Sequence, residues 1–392
     1  MRIGILLPSI YASNRYLTGR IFAPLYPAVS LADRLVEKGH EVFFYGSQDI
    51  NTKAKIIPGD SSLTDTSPFY HQFRYRDPLE QEYATLEIVK RDFEYDITLK
   101  AYYDAVRKKK LDILHSYHDF GAHYFNELTQ FPTVYTLHDP LPNTTDTIEY
   151  LRLSKFKHHS YVSISNSQRN GIPALNFVKT VYHGIHLADY EFDNTPGDHL
   201  IYFGRILEDK GADVAIQVAL KLDISLHIAT SKIRANVSED FYNKKIIPYV
   251  DGKQVILRGF LEEKEKSDFI KKGKAFVFPL NWEEPFGLVM VEAMACGTPV
   301  IAFNRGSVSE IVRDGLTGFI VDPPDQQVQN SKFKVQGGGW IIKKRGVEGL
   351  VEAVKRIQEI DRSACRKHVE ENFTVDKMRE GYEEVYRKVA NL

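Results

Sequence analysis

Residues 283 to 300 read E-E-P-F-G-L-V-M-V-E-A-M-A-C-G-T-P-V. From Leu288 to Cys296 every side chain is apolar except that of Glu292. A helix that is apolar on all sides is a buried one. Gly297, Thr298 and Pro299 then end it and start the apolar run P-V-I-A-F. A buried helix running directly into a buried strand is the unit from which α/β sheets are built. The carboxylate of Glu292 inside that helix is costly unless something offsets its burial.

The same alternation extends along the chain in both directions. Strand-like runs occur at 3–7, 41–45, 112–115, 133–137, 161–165 and 180–182, and again at 199–203, 225–229, 255–257, 275–278, 299–303 and 318–321. Most are continuous apolar runs, as expected of strands covered on both faces. Helical patterns separate them, at 27–38 and at about 80–108 among others. The fold class expected is α/β, with two doubly wound, Rossmann-like domains facing across a cleft. The polar stretch 189–198, with Pro196 and Gly197, marks the junction. The expected division is 1–190, 191–373 and a final amphipathic helix at 374–392, which could cross back to the first domain. Residues 324–339 read as a polar loop.

With 51 basic and 52 acidic residues the formal net charge is −1, which gives no electrostatic footprint for nucleic acid. Two cysteines, Cys296 and Cys365, cannot form a disulfide framework and fit a reducing cytosol. The opening M-R-I-G-I-L-L-P is expected to be a first strand rather than a signal peptide. No run approaches the ~20 apolar residues of a membrane span. A cytoplasmic protein is expected, with a peripheral contact at the inner membrane face left open.

Pro285 suits a helix start, so Phe286, Gly287 and Leu288 are expected in the first turn. Their N–H groups would have no intrahelical partner, at the positive end of the dipole. Such an end suits a phosphate. Glu284 just before it could hold sugar hydroxyls, or simply sit as a carboxylate at a helix start. Glu292 could accept from a ribose diol, or pair with a buried Arg or Lys.

The stretch resembles the E-x7-E motif of retaining GT-B glycosyltransferases of glycosyltransferase group 1 (GT4). The resemblance implies that Glu284 contacts the donor sugar and Glu292 the nucleotide ribose. F-G-R-I-L-E-D-K-G, residues 203 to 211, resembles the family's Gly-Arg…Lys-Gly stretch, which implies that Gly204, Arg205 and Lys210 meet the donor diphosphate. R-G-S-V-S-E, residues 305 to 310, resembles the next segment, with Gly306 and Ser307 in a turn near the phosphates and Glu310 structural. In the first half, T-L-H-D-P places His138 at a strand end where the family often has a histidine near the transferred sugar. His115 and His118 are weaker candidates. Two departures stand out. His186 occupies the place of a common Asp, and the loop after the first strand offers Gly19 and Arg20 in place of a Gly-Gly pair.

What the resemblance implies is a hexosyltransferase moving a sugar from a nucleotide-diphosphate sugar to a glycan, lipid-linked or small-molecule acceptor with retention. The chain has no D-x-D tripeptide of the kind that holds a metal. No metal or other cofactor is therefore expected, and cations with a helix end would stabilise the leaving group. Catalytic roles are expected of His138, Glu284, Arg205 and Lys210. Donor binding is expected of Gly204, Arg205, Lys210, Glu284, Phe286, Gly287, Leu288 and Glu292, and a possible acceptor or phosphate loop at Gly19 and Arg20. A nicotinamide oxidoreductase would require G-x-G-x-x-G after a first strand, and neither 3–7 nor 199–203 is followed by one. A non-catalytic nucleotide-sugar-binding or assembly protein is the remaining alternative.

Overall fold

The computed structural model describes residues 1–13, 22–60, 80–117, 120–230, 239–324 and 339–392. Two compact units account for them. One comprises Met1–Ile164, Arg169–Gly184 and Val375–Leu392, the other Ser165–Gln168 and Ile185–Thr374.

The first unit is built on seven parallel strands: β1 (Arg2–Leu6), β2 (Glu41–Gly46), β3 (Lys55–Pro58), β4 (Ile113–Tyr117), β5 (Thr133–Thr136), β6 (Ser160–Ser163) and β7 (Phe177–Thr180), in the order β3-β2-β1-β4-β5-β6-β7. The run expected at 180–182 is displaced to β7. The edge strand β3 adds to the sequence expectation. It is four residues long and half-buried, so it lacks the continuous apolar signature of a central strand. Helices cover both faces. Helix α1 (Leu25–Glu37) packs on one face, and α2 (Glu80–Val106), α3 (Phe120–Thr129) and α4 (Ile148–Lys155) belong to the other.

The second unit has β8 (Leu200–Phe203), β9 (Leu226–Ala229), β10 (Val255–Gly259), β11 (Ala275–Phe278), β12 (Val300–Phe303) and β13 (Gly318–Val321), all parallel, in the order β10-β9-β8-β11-β12-β13. Strands β8, β11, β12 and β13 are buried along their whole length. Between and after them run α5 (Ala212–Leu222), α6 (Glu263–Lys271), α7 (Leu288–Ala295), α8 (Val308–Ile311), α9 (Gly346–Lys355) and α10 (Arg362–Asn372). These are two doubly wound, Rossmann-like parallel sheets.

The last helix, α11 (Val375–Ala390), belongs to the first unit. Val375, Met378, Tyr382, Val385 and Tyr386 recur at helical spacing and are buried against the face that α1 covers. Arg34 of α1 grips the Asp376 carboxylate with two nitrogens, at 2.7 and 2.5 Å. The chain thus leaves the first unit after Gly184 and re-enters it at Val375.

Among the described residues no helix is long and apolar enough to cross a membrane. The 325–338 stretch of the expected polar loop lies outside the described residues, as do Gly19, Arg20 and His118.

Candidate active site

In each sheet the strand order reverses once, between β1 and β4 and between β8 and β11. In open α/β sheets such a switch point splays two adjacent strand-to-helix loops apart and leaves a crevice between them. In the second unit the two loops are 204–211, after β8, and 279–287, after β11. They carry Arg205 and Lys210 on one side and Glu284 on the other. The topology therefore explains why two stretches far apart in sequence meet.

They meet closely. Lys210 Nζ lies 2.7 Å from Glu284 Oε2, with both side chains nearly buried. The indole N–H of Trp282 donates to the same carboxylate oxygen at 2.8 Å. The Lys210 ammonium stands 3.6 Å from the centre of the Trp282 ring. The three groups form one closed set: a cation on an aromatic face, a carboxylate on the cation, and the indole on the carboxylate. Burial pushes the Lys210 ammonium below its ordinary pKa, and Glu284 opposes that shift. Arg205 is exposed, and its charge also disfavours protonation of Lys210. The Tyr202 hydroxyl, at the heart of β8, lies within donating reach of the carbonyls of Arg205 and Lys210 at 3.2 and 3.3 Å, which holds the loop in shape.

The loop 283–287 is strapped to the turn 305–307. Ser307 N donates to Glu284 O (2.9 Å), Ser307 Oγ to Phe286 O (2.7 Å) and Gly306 N to the Glu283 carboxylate (2.6 Å). The expected helix start needs correction. Gly287, with φ +79°, is the cap, and α7 begins at Leu288. Pro285 and Phe286 lie in the preceding turn, where Ser307 binds the carbonyls of Glu284 and Phe286. The N–H groups that open α7 are thus those of Leu288 and Val289, since Met290 N already donates to Gly287 O at 2.9 Å. Phe286 is buried, and its ring meets that of Phe373 edge-on.

Glu292 is buried within α7, and the structure supplies its partners. The Tyr190 hydroxyl donates to Oε1 at 2.9 Å. Lys266 Nζ of α6 stands 2.6 Å from Oε2, as an ion pair rather than an aligned hydrogen bond. This is the basic partner that the sequence left as the alternative to a ribose. The Lys266 side chain is 30% exposed, so its head reaches solvent by rotation alone. Glu310 accepts from the backbone N–H groups of Asn166 and Ser167 at 2.7 Å each.

His138 belongs to the first unit, two residues beyond β5. Its ring stacks between those of Tyr117 (5.2 Å) and His183 (5.1 Å). His115 is buried in β4 and bonded on both nitrogens, to Tyr386 and Thr136, which makes it part of the core. The structure thus brings Lys210, Glu284 and the Gly306–Ser307 turn together, with Arg205 at the loop's exposed edge.

Trp282, Lys266, Tyr190 and Tyr202 escaped sequence reasoning. Trp282 adjoins the motif and an aromatic beside two carboxylates was visible. Lys266 lies in the charged run E-K-E-K-S-D, where nothing marks one lysine from another.

Residues 191–334 match the family model described as glycosyl transferases group 1. An uncharacterized protein of the cps region of Klebsiella pneumoniae is 32% identical over 127 residues, which are 32% of this chain and 33% of the relative. An uncharacterized glycosyltransferase of Methanocaldococcus jannaschii is 25% identical over 284 residues, 65% of this chain and 77% of the relative. The chain thus spans only about a third of the length of several curated relatives. Among solved structures, Anabaena HepE in complex with UDP-glucose has a TM-score of 0.67 at 15% identity, covering 99% of this chain and 100% of that one. Residues 191–334 thus match the glycosyl transferases group 1 model, and the chain along nearly its whole length shares the fold of that solved structure.

Proposed function

We propose that the protein transfers a sugar from a nucleotide-diphosphate sugar to an acceptor, with retention at the anomeric carbon and without a metal at the donor site. The observation that carries this reading is the Lys210–Glu284–Trp282 set at the β8/β11 switch point, inside the segment that matches the group 1 model.

The chemistry follows from an exchange of partners. With no donor bound, Lys210 and Glu284 neutralise each other, so neither charge is stranded in a buried place. A diphosphate entering the crevice offers Lys210 a second anion, and exposed Arg205 adds charge. Glu284 is then free to accept hydrogen bonds from sugar hydroxyls. As the bond to the sugar breaks and an acceptor hydroxyl oxygen bonds to the anomeric carbon, negative charge grows on the leaving diphosphate, which takes up the acceptor's proton. Lys210, Arg205 and the N-terminal end of α7 are preorganised to stabilise that charge. Glu292 with Tyr190 would hold the ribose, with Lys266 displaced toward solvent. His138 would serve the sugar or acceptor from the first unit, and a hexose is the sugar class proposed.

The test is a thermal-shift screen of the full chain against uridine, guanosine and adenosine diphosphate sugars, since a ligand of the native state raises the melting temperature. Uridine sugars come first because a protein of the same fold is bound to UDP-glucose. Nucleotide release from the best binder is then measured for the wild type, Glu284→Ala and Lys210→Ala. Release by the wild type and its loss in both folded variants is the expected result. Binding without release would leave a nucleotide-sugar-binding protein, and unaltered release in the variants would refute the assignment.

A further inference from the structure

Three titratable side chains of the first unit converge where none of the donor-site residues lies. Glu127 projects from α3, and His158 and His159 form the turn between α4 and β6. One donor atom from each lies within 4.8 Å of the other two. Glu127 Oε1 is 2.6 Å from His158 Nε2 and 3.2 Å from His159 Nε2. Ligands around a tetrahedral Zn2+ at about 2.0–2.1 Å lie about 3.3 Å from one another, so small side-chain rotations open room for an ion.

Behind these groups lies a supporting layer. His159 is 7% exposed, and its ring stacks on Phe156 and Tyr135. Its Nδ1 is 2.8 Å from Nδ1 of His123, which sits one helical turn before Glu127 on α3. His123 is buried and stacked on Tyr135 and Phe156. Two imidazole Nδ1 atoms in contact need one proton between them. If His159 carries it on Nδ1, its Nε2 presents a lone pair toward Glu127, as metal coordination requires. The backbone is fixed as well: His159 N donates to Phe156 O and Asn176 Nδ2 to His158 O.

We propose that Glu127, His158 and His159 form a binding site for a divalent transition-metal ion, Zn2+ by the chemistry of its donors. Two imidazole nitrogens and one carboxylate oxygen are the borderline donors that Zn2+ takes, with water in the fourth position. The bound ion ties the last turn of α3 to the turn that feeds β6. His123 is a positioning residue that sets the tautomer of His159.

The test uses the full chain, free of any histidine tag and stripped with chelator, titrated with ZnCl2 by calorimetry. Metal content is measured after gel filtration. One equivalent of Zn2+ per chain is expected, with a rise in melting temperature. His158→Ala and Glu127→Gln, both at exposed positions, should each weaken binding at least tenfold while circular dichroism stays unchanged. His123→Phe should weaken it about 10- to 100-fold, the usual effect of losing a group that orients a ligand. Absence of saturable binding would overturn the proposal. So would an unchanged equivalent of Zn2+ in the Glu127→Gln/His158→Ala double variant, since the ion would then lie elsewhere.

Discussion

Lys210 and Glu284 stand 74 positions apart in sequence and 2.7 Å apart in space, with the Trp282 indole touching both. The indole is therefore placed to aim the carboxylate. Trp282→Phe keeps an aromatic face under the ammonium and removes the N–H. A hydrogen bond to a charged group is worth about 1.5–3 kcal/mol. Turnover of the donor should fall roughly tenfold or more, with a smaller change in KM, because orientation rather than charge is lost. Steady-state nucleotide release checks this, and wild-type kcat in Trp282→Phe would remove the indole from the site.

Lys266 decides between two roles for Glu292. In the structure it neutralises a buried carboxylate that Tyr190 also holds. If the carboxylate serves only that pair, Lys266→Ala destabilises the protein and does nothing else. If it serves a ribose, Lys266 competes with the ligand. Lys266→Ala should then melt lower than the wild type, yet show a larger upward shift on adding a nucleoside diphosphate. Glu292→Gln should lose most of that shift. Equal shifts in all three proteins would return Glu292 to a purely structural part.

Gly306 lies against the backbone of Glu284. Its φ is +55°, and a Cβ there would stand 2.2 Å from Glu284 O and 2.4 Å from Glu284 N. Neither backbone atom can swing aside. Gly306→Ala must push the 305–307 turn off the loop that aims Glu284, at a cost of about 1–3 kcal/mol in strain. Turnover should drop by at least a hundredfold while far-ultraviolet circular dichroism is kept. Normal turnover in this variant would mean that the strap between the two loops is dispensable.

How far the sequence revealed these features depended on how local they are. Glu292 stood out as a carboxylate in an apolar helix, whereas Glu284, Arg205 and Lys210 were singled out by the resemblance of their short stretches to a known family; the structure sets Lys210 against Glu284. The parallel sheets were legible because their central strands are continuous apolar runs. Helix α7 was read as starting too early, and the strap from Ser307 beside that start is a long-range contact that no local propensity encodes. Trp282 and Lys266 gained meaning only when the strand order brought other elements against them. The pairing of His123 with His159 also depends on two elements meeting.

His115 sets a further expectation, for stability against pH. It is buried, and burial pushes its pKa down to about 3. Its Nδ1 contacts the Tyr386 hydroxyl and its Nε2 the Thr136 hydroxyl, both at 2.7 Å, so it joins β4 to α11 and β5. In the unfolded chain the same imidazole titrates near 6.5. Between those two values the unfolded state binds the extra proton, so stability falls as the pH is lowered through that window. His183, also held at about 3 by burial, acts in the same sense. Each group can add a slope of up to about 1.4 kcal/mol per pH unit. His115→Gln should be less stable than the wild type near pH 7, yet lose less stability per unit on acidification, by about that amount. Denaturation midpoints and slopes for both proteins at about pH 7, 6 and 5 test it, since the carboxylates common to both cancel in the difference. Parallel declines in the two proteins would mean that His115 is protonated within the fold, and that the buried contact between α11 and the first sheet is not built around a neutral imidazole.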